Sequence, residues 1–433
     1  MTSTPFTDRR STMTRRRMLG AGVRVGAGAA LAAGAAGAAL PLGLAAPARA
    51  DSAGTGAAGT AGSAGSAGST GPVRPTLPAP TGPYPVGTVE LHLVDTTRPD
   101  PVAGPGKHRE LMASVWYPAR EVERDAAERY PVAPWVPAGT MAALMASLGV
   151  PAGLVEAPLT AGRQGAPVRR SGRPRPVVLY SHGAHSYRAD HTVMVQELAS
   201  HGYVVVTLDH TYDAVTEFPD GRVLTPLHDR NHQMGPADFA DDIRYLLDRI
   251  EELAAGHNPD ADGRPLPEGL SEAIDPRRIG MFGWSKGGTA TARLMLADRR
   301  VLAGLSLDGP MLPDITDDLD RPFMLMTAVN TPAASPSVAG FWSHLRGWRL
   351  AVQAEGAAHP SYGDTQVLVP QLAKVVGMSD EDLRDWTGTL DPARAVRIQQ
   401  AYPLAFFDLH LRHRRGHLLD GPSRAFPEVR FLP

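Results

Sequence analysis

The chain has 433 residues, with 43 basic side chains, 45 acidic side chains and no cysteine. The lack of cysteine excludes disulfide bonds and cysteine-ligated metal sites, and a formal charge of −2 does not suggest nucleic acid as the main partner. A chain of this size can bury one large hydrophobic core or two smaller ones. Because disulfide bonds are excluded, the stability of the protein must come from the packing of its core.

Residues 1–50 have the pattern of an export signal. A twin-arginine motif, Thr14-Arg15-Arg16-Arg17-Met18-Leu19, precedes a weakly hydrophobic Ala/Gly/Leu run, and Ala48-Arg49-Ala50 supplies a small-x-small cleavage site. The run is so rich in Ala and Gly that a membrane anchor is the weaker alternative. We predict secretion by the twin-arginine route with cleavage after Ala50, which leaves 36 basic and 44 acidic residues and a net charge of −8.

The next segments predict a tether followed by one folded domain. Residues 51–81 are mainly Ala, Gly, Ser and Thr, which predicts a disordered linker. The domain spans residues 82–433 and opens with Val86–Val94 and Leu111–Tyr117, whose alternating pattern predicts an antiparallel strand pair. Residues 119–172 are rich in Ala, Pro and Gly. They form either a cap over a site or an ordinary connecting segment between strands, and the sequence leaves both possibilities open.

The remainder of the domain alternates apolar runs with helical patterns. Pro176–Tyr180 is the kind of continuous apolar run that a buried parallel strand shows. Further strands are predicted at 203–208, 278–282, 301–307, 323–329 and 348–354, and helices at 190–200, 235–252 and 289–298. This rhythm predicts the α/β class, with a mostly parallel central sheet and helices on both faces.

The sequence Gly283-Trp284-Ser285-Lys286-Gly287 has the Gly-x-Ser-x-Gly spacing of a nucleophile elbow. In such an elbow a strand turns so sharply into a helix that the serine is strained and exposes its Oγ, and glycines are needed where a Cβ would collide. The alternative is a Gly-rich turn without chemistry. The predicted strand before the motif and the predicted helix after it favour Ser285 as a nucleophile.

A serine nucleophile needs a histidine as base and a carboxylic acid that orients this histidine. In the α/β-hydrolase arrangement the acid follows the serine in the chain and the histidine follows the acid. Asp308 directly follows the strand 301–307, and His359 lies in a small-residue loop directly after the strand 348–354. We therefore predict Asp308 as the acid and His359 as the base. The rivals are Asp314, Asp317, Asp318 and Asp320 in a loop, and His344, His410, His413 and His417 in helix-like stretches.

Two backbone N–H groups are predicted to bind the oxyanion of the reaction. One belongs to Lys286, the residue after the nucleophile, and the other to Ala184, in the loop that follows strand 176–180. Gly183 allows that loop to turn its amide inward. His182 precedes the nucleophile, so we expect it to brace the loop rather than to act as the base.

Several of these motifs together resemble the isoform II platelet-activating factor acetylhydrolase family. The resemblance spans about residues 82–370 and rests on Tyr84-x-Val86-Gly87, Val115–Pro118, Ser181-His182-Gly183 with Tyr187-Arg188, Leu198–Val205, the elbow, Leu307-Asp308-Gly309 and His359-x-x-Tyr362-x-Asp364. It implies an α/β-hydrolase fold and a calcium-independent serine esterase that removes short or oxidised acyl groups from phospholipid-like esters. Family members usually carry His and Phe where this chain has Trp284 and Lys286. The lysine side chain would either favour anionic substrates or face solvent.

The expected partner is a small-molecule or lipid ester, with transient contact to a lipid surface left open. We expect a monomer that binds no nucleic acid, no cofactor and no metal. The alternatives are a cutinase-like polyester or triglyceride hydrolase, a non-catalytic binding protein of the same fold, and metal chemistry at His182, His185, His210, His228 and His232.

Overall fold

The computed structural model describes residues 71–123, 128–228 and 233–433. The predicted signal, its cleavage site and residues 51–70 of the predicted linker lie outside these ranges. Residues 71–81, also predicted as linker, contact the domain: the amide of Val73 donates to the carbonyl of Leu154, and the amide of Thr81 donates to the carboxylate of Glu197. The folded domain therefore begins before Gly82. Within these ranges no helix is both long enough and apolar enough to span a lipid bilayer.

The described residues form an eleven-stranded sheet in the order β13-β12-β11-β10-β9-β5-β6-β2-β1-β4-β3, with a separate two-stranded ladder of β7 and β8. The strands are β1 (Val86–Pro99), β2 (His108–Pro118), β3 (Val132–Pro134), β4 (Leu159–Gln164), β5 (Arg175–Ser181), β6 (Val204–Asp209), β7 (Thr216–Glu217), β8 (Val223–Leu224), β9 (Ile274–Trp284), β10 (Val301–Leu307), β11 (Phe323–Thr327), β12 (Arg349–Ala354) and β13 (Val429–Leu432).

Helices flank the sheet. They are α1 (Ala138–Ser147), α2 (Thr192–Ser200), α3 (Pro236–Ala254), α4 (Leu270–Ala273), α5 (Lys286–Ala297), α6 (Pro336–His344), α7 (Thr365–Leu372), α8 (Asp380–Thr387) and α9 (Pro392–Arg412). In the sheet, the six adjacent strands β12, β11, β10, β9, β5 and β6 run parallel to one another, while β1 and β2 pair antiparallel. The α/β class and the N-terminal antiparallel pair are therefore confirmed.

The continuous apolar runs are explained by burial on both faces of the sheet. In β5, Val177 and Leu179 pack in the cluster that contains the apolar faces of α3 and α5, whereas Val178 and Tyr180 pack in the cluster of α2 and α9. Successive side chains point to opposite faces, and here both faces are covered. An alternating polar pattern is accordingly missing from this strand.

Segment 119–172, left open by the sequence, has two structural roles. Its strands β3 and β4 extend the sheet beyond β1. Its helix α1 and the turns beside it form an apolar cluster with α7, and the buried members of this cluster are Trp135, Val136, Met141, Met145, Val150, Val155 and Leu368. The segment thus lies against the helix that follows the His359 loop.

Candidate active site

Ser285 is the single residue between β9 and α5, with φ 53° and ψ −117°. This backbone conformation is unfavourable for a residue with a side chain, and its cost must be offset by the surrounding structure. A Cβ at Gly283 would overlap the carbonyl of Gly287, and a Cβ at Gly287 would overlap the carbonyl of Ser181. Both glycines are therefore required by the close approach of backbone to backbone at the elbow.

We expect Gly287→Ala to lower the free energy of unfolding by about 3 kcal/mol, because the added methyl group meets backbone atoms that cannot move aside. Urea unfolding followed by circular dichroism measures the change. Gly340→Ala is the matched control, since Gly340 lies inside α6 with open space around its Cα. There the same substitution should stabilise the protein by roughly 0.5–1 kcal/mol. Equal effects at the two positions would contradict the steric account of the elbow.

Asp308 leaves the carboxyl end of β10 and is completely buried. Its Oδ1 accepts hydrogen bonds from the backbone N–H groups of Ala328, Val329 and Asn330, at 2.7, 2.9 and 2.8 Å. Its Oδ2 accepts from Nδ1 of His359 at 2.5 Å. The three backbone donors fix the plane of the carboxylate, and this leaves one oxygen directed at the imidazole.

His359 lies in the loop after β12, and about a third of its side chain, 34%, is exposed. Its ring packs on the indole of Trp284 with a centroid separation of 5.1 Å, and its carbonyl accepts a hydrogen bond of 3.0 Å from Nε1 of Trp284. The backbone N–H of Ser285 in turn donates to the carbonyl of Leu307, the residue before Asp308. These contacts bring the three predicted residues to one edge of the sheet. Among the described residues, no hydrogen bond joins the Ser285 hydroxyl to the His359 ring.

The loop after β5 lies directly against the elbow. A Cβ at Gly183 would overlap the Trp284 ring, so a larger residue cannot replace this glycine without displacing the indole. The next amide, that of Ala184, and the amide of Lys286 at the start of α5 have no acceptor in the part of the chain that the structure describes. Two unpaired N–H groups thus flank the elbow, as an oxyanion site requires.

His182 braces this loop. Its Nδ1 donates to the carbonyl of Gly183 at 2.6 Å, and its Nε2 accepts from the amide of His210 at 3.0 Å. Complete burial, together with the nearby His210 ring, lowers the pKa of His182 to about 4. The ring is therefore neutral near pH 7, with both nitrogens engaged in holding the loop.

The sequence leads us to expect that the side chain of Lys286 either favours anionic substrates or faces solvent, and the structure shows neither. Its Nζ binds Oδ2 of Asp213 at 2.5 Å and the carbonyl of Met234 at 2.8 Å. The ammonium also lies over the Phe239 ring, 5.0 Å from the centroid. Because its charge is neutralised inside the protein, the side chain neither faces solvent nor offers a free cation to an anionic substrate.

A second serine, histidine and aspartate set escaped the sequence prediction. The Ser181 hydroxyl lies 2.9 Å from Nε2 of His210, whose Nδ1 lies 3.0 Å from Oδ2 of Asp242. Burial favours a raised pKa for Asp242, but the charge of Arg109 and the hydrogen bonds of His210 and Arg109 outweigh it and hold that pKa well below its ordinary value. Ser181, His210 and Asp242 are all completely buried, so no substrate can reach this hydroxyl. Ser181 directly follows the apolar run 176–180, and His210 lies two residues after the run 203–208, which is the signal that could have revealed the pair.

Asp364 joins the His359 loop to two other parts of the fold. Its Oδ2 accepts from Nε1 of Trp135 and from the amide of Thr192, each at 2.8 Å, and its Oδ1 accepts from the amide of Val193 at 2.9 Å. Trp135 belongs to segment 119–172, and the two amides belong to the first turn of α2. One buried carboxylate therefore holds three chain segments together beside the site.

Burial raises the pKa of Asp364 to about 6 from an ordinary value of 3.8, although the Val193 amide, His191 and Trp135 act to lower it. Because the folded-state pKa is the higher one, this group's stabilisation is complete below pH 4 and is lost as pH rises through 6. A difference of roughly two pH units corresponds to about 3 kcal/mol, of which about 2 kcal/mol falls between pH 4.5 and 7.5. The unfolding free energy of the wild type relative to Asp364→Asn should decrease by this amount over that range in urea titrations. A difference that does not change with pH would rule out this titration.

The metal alternative has no support in the described residues. Within residues 71–123, 128–228 and 233–433, no group of three or more His, Asp or Glu side chains is placed to hold a metal ion. His182 and His210 instead bind protein atoms, and His185 packs edge-on against His228. The fifth histidine of that prediction, His232, lies outside the described residues.

Comparison with known proteins identifies the family. A family model described as platelet-activating factor acetylhydrolase, isoform II, matches residues 70–218, a span that includes the loop after β5 but ends before Ser285. A probable 1-alkyl-2-acetylglycerophosphocholine esterase from Arthroderma benhamiae is 27% identical over 386 residues, 82% of this chain and 93% of that protein. The chain belongs to the isoform II platelet-activating factor acetylhydrolase family. A further member, the platelet-activating factor acetylhydrolase of Canis lupus familiaris, is 23% identical over 78% of each chain.

A solved structure extends the comparison. Ferulic acid esterase from Streptomyces cinnamoneus shares 33% sequence identity and superposes with a TM-score of 0.69, covering 82% of this chain and 98% of that one. The Arthroderma benhamiae and Streptomyces cinnamoneus proteins are both esterases by name. This family member has the α/β-hydrolase fold and is a carboxylic ester hydrolase, so the resemblance, the fold and the enzyme class predicted from the sequence are confirmed.

Proposed function

We propose that the protein is an exported serine esterase that uses Ser285 as nucleophile, His359 as base and Asp308 as orienting acid. The observation that supports this most strongly is the Asp308–His359 pair. A fully buried carboxylate, fixed by three backbone donors, accepts the Nδ1 proton of an imidazole that packs on the residue before the strained serine. A purely structural ion pair has no need of a strained neighbour.

The mechanism follows from the protonation of the ring. With the proton held on Nδ1 by Asp308, Nε2 of His359 has a free lone pair and takes the proton of the Ser285 hydroxyl as Oγ attacks the ester carbonyl. The amides of Lys286 and Ala184 stabilise the oxyanion. His359 then protonates the leaving alcohol, and an acyl-enzyme remains on Ser285. Water, deprotonated by the same nitrogen, releases the carboxylic acid and restores the serine. Contacts between nucleophile and base that are long in a free enzyme commonly tighten when substrate binds.

For the substrate we propose short or oxidised acyl groups on phospholipid-like esters. The names of the relatives from Arthroderma benhamiae and Canis lupus familiaris support this choice, because both refer to hydrolysis of an acetylated glycerophospholipid. A second candidate is an ester of a phenolic acid, favoured by the 33% identity with the Streptomyces ferulic acid esterase. Export through the twin-arginine signal at Arg15–Arg17 suits either substrate.

The decisive experiment is labelling with a fluorophosphonate, which reacts with activated serines, followed by peptide mass spectrometry. We expect modification of Ser285 and none of the buried Ser181. Modification of another serine would overturn the assignment of the nucleophile. The absence of both labelling and p-nitrophenyl acetate hydrolysis would indicate a non-catalytic binding protein, and loss of hydrolysis on chelation would indicate metal chemistry.

Substrate class is tested on the same preparation. Initial rates are compared on 1-alkyl-2-acetylglycerophosphocholine, its long-chain diacyl counterpart and methyl ferulate, with polyester film as a fourth substrate. A preference for the acetyl lipid supports the proposed class. A preference for methyl ferulate supports the second candidate, and turnover of long-chain lipid or film at a comparable rate would support a cutinase-like or lipase-like enzyme.

A further inference from the structure

The two proposed oxyanion donors belong to separate elements of the fold. Ala184 lies in the loop after β5, and Lys286 is the first residue of α5. Both N–H groups must aim at one oxygen, and errors well below 1 Å in such a site lower the rate. Some contact must therefore fix the position of the loop that carries Ala184 relative to the helix that begins at Lys286.

Asp213 makes that contact. Its Oδ1 accepts from the amide of His185, the residue after Ala184, at 2.7 Å, and its Oδ2 accepts from Nζ of Lys286 at 2.5 Å. Only 3% of the Asp213 side chain and 16% of the Lys286 side chain are exposed. A single buried carboxylate thus binds the neighbour of one donor and the side chain of the other.

The loop needs such support because His185 has a φ of 59°, in the left-handed region that residues with a Cβ seldom occupy. Two further bonds hold the same turn: the amide of Ser186 donates to the carbonyl of Gly183, and the amide of Val215 donates to the carbonyl of Ser186. The bond to Asp213 is the one that also reaches α5. It couples a strained turn to the helix that carries the other donor.

Stability alone does not account for this ion pair. Withdrawing two charges from water costs about as much as their attraction returns, so a buried pair is often no more stabilising than apolar side chains of the same size. What the pair adds is a directional link between two elements that the backbone does not join at this point.

We propose that Asp213 and the Lys286 side chain are positioning residues that align the amides of Ala184 and Lys286 on the oxyanion. This inference rests on the proposed function and adds to it a determinant of transition-state binding. The groups act through the backbone donors, and neither side chain contacts the substrate.

The test compares Asp213→Asn, Lys286→Met and the double variant on p-nitrophenyl acetate and on its thionoester, in which sulfur replaces the carbonyl oxygen. Methionine keeps most of the length of the lysine side chain and removes its charge. Because removing one oxyanion donor outright costs about 10²–10³-fold in kcat, misalignment should cost each single variant about 10- to 100-fold with little change in KM. Sulfur is a weak hydrogen-bond acceptor, so the ester-to-thionoester rate ratio should fall about tenfold in the variants. The double variant should be no worse than the poorer single one, since the two groups act as a unit.

Arg278→Met is the matched control, because Arg278 pairs with Asp275 at the opposite end of β9. It should leave kcat and the ester-to-thionoester ratio unchanged. If Asp213→Asn does not fold, as judged by circular dichroism, Lys286→Met alone carries the test. An unchanged kcat, or a loss of kcat with an unchanged ratio, would overturn the positioning role while leaving the proposed function intact. Retained hydrolysis in Ser285→Ala would instead overturn the proposed function.

Discussion

Ser285→Ala should lower kcat for p-nitrophenyl acetate by about 10⁴-fold or more and abolish fluorophosphonate labelling. The reason is chemical, since the acyl-enzyme is proposed to form on the Ser285 hydroxyl, which this substitution removes. The fold should be retained, because Ser285 takes part in the elbow through its backbone: its N–H donates to Leu307 and its carbonyl accepts from Gly288. Stopped-flow detection of the burst of nitrophenol, with the unfolding transition measured in parallel, checks both statements.

Ser181→Ala provides the comparison for that experiment. Ser181 also has a histidine within hydrogen-bonding distance and an aspartate behind it, so it resembles a nucleophile in its partners. It differs in being completely buried. We expect Ser181→Ala to keep the fluorophosphonate label at position 285. Should this variant lose the label while Ser285→Ala keeps it, the two serines have been assigned the wrong roles.

The parts of the site that could be predicted from the sequence are those fixed locally. The elbow is such a part, because the glycines at 283 and 287 and the flanking strand and helix lie within a short stretch. Asp308 and His359 could be predicted because each directly follows an apolar run, and the carboxyl ends of parallel strands meet at one edge of a sheet. The limits of β10 agree with the predicted strand 301–307 residue for residue.

The contacts that hold these residues in place could not be predicted, because they join positions far apart in the chain. Asp213 and Lys286 are 73 residues apart, and Trp135 and Asp364 are 229 apart. Single-residue patterns carry no information on such pairs. Strand β13 was missed for a related reason: its four residues, Val429–Leu432, have too little pattern by themselves and form a strand only by pairing with β12.

Asp308→Asn should lower kcat by about 10⁴-fold with little change in KM. Oδ1 faces three backbone N–H groups, so an asparagine must place its carbonyl oxygen there and turn its amide group toward Nδ1 of His359. Nδ1 of His359 must then accept a hydrogen bond from this amide group, so the proton of the ring moves to Nε2. An Nε2 that carries a proton cannot take one from Ser285. Steady-state kinetics measure the loss, and the downfield proton resonance of Nδ1 should disappear from the NMR spectrum.

The surface pair of Asp318 and His344 offers a matched control for this change. Oδ1 of Asp318 lies 2.8 Å from Nδ1 of His344, the same kind of contact, but about half of the Asp318 side chain is exposed. Asp318→Asn should leave kcat unchanged, since solvent replaces the lost contact and no reacting group depends on that ring. If Asp308→Asn also kept kcat within tenfold of the wild type, the ring of His359 would not need Asp308 to hold its proton on Nδ1, and another group would have to orient the base.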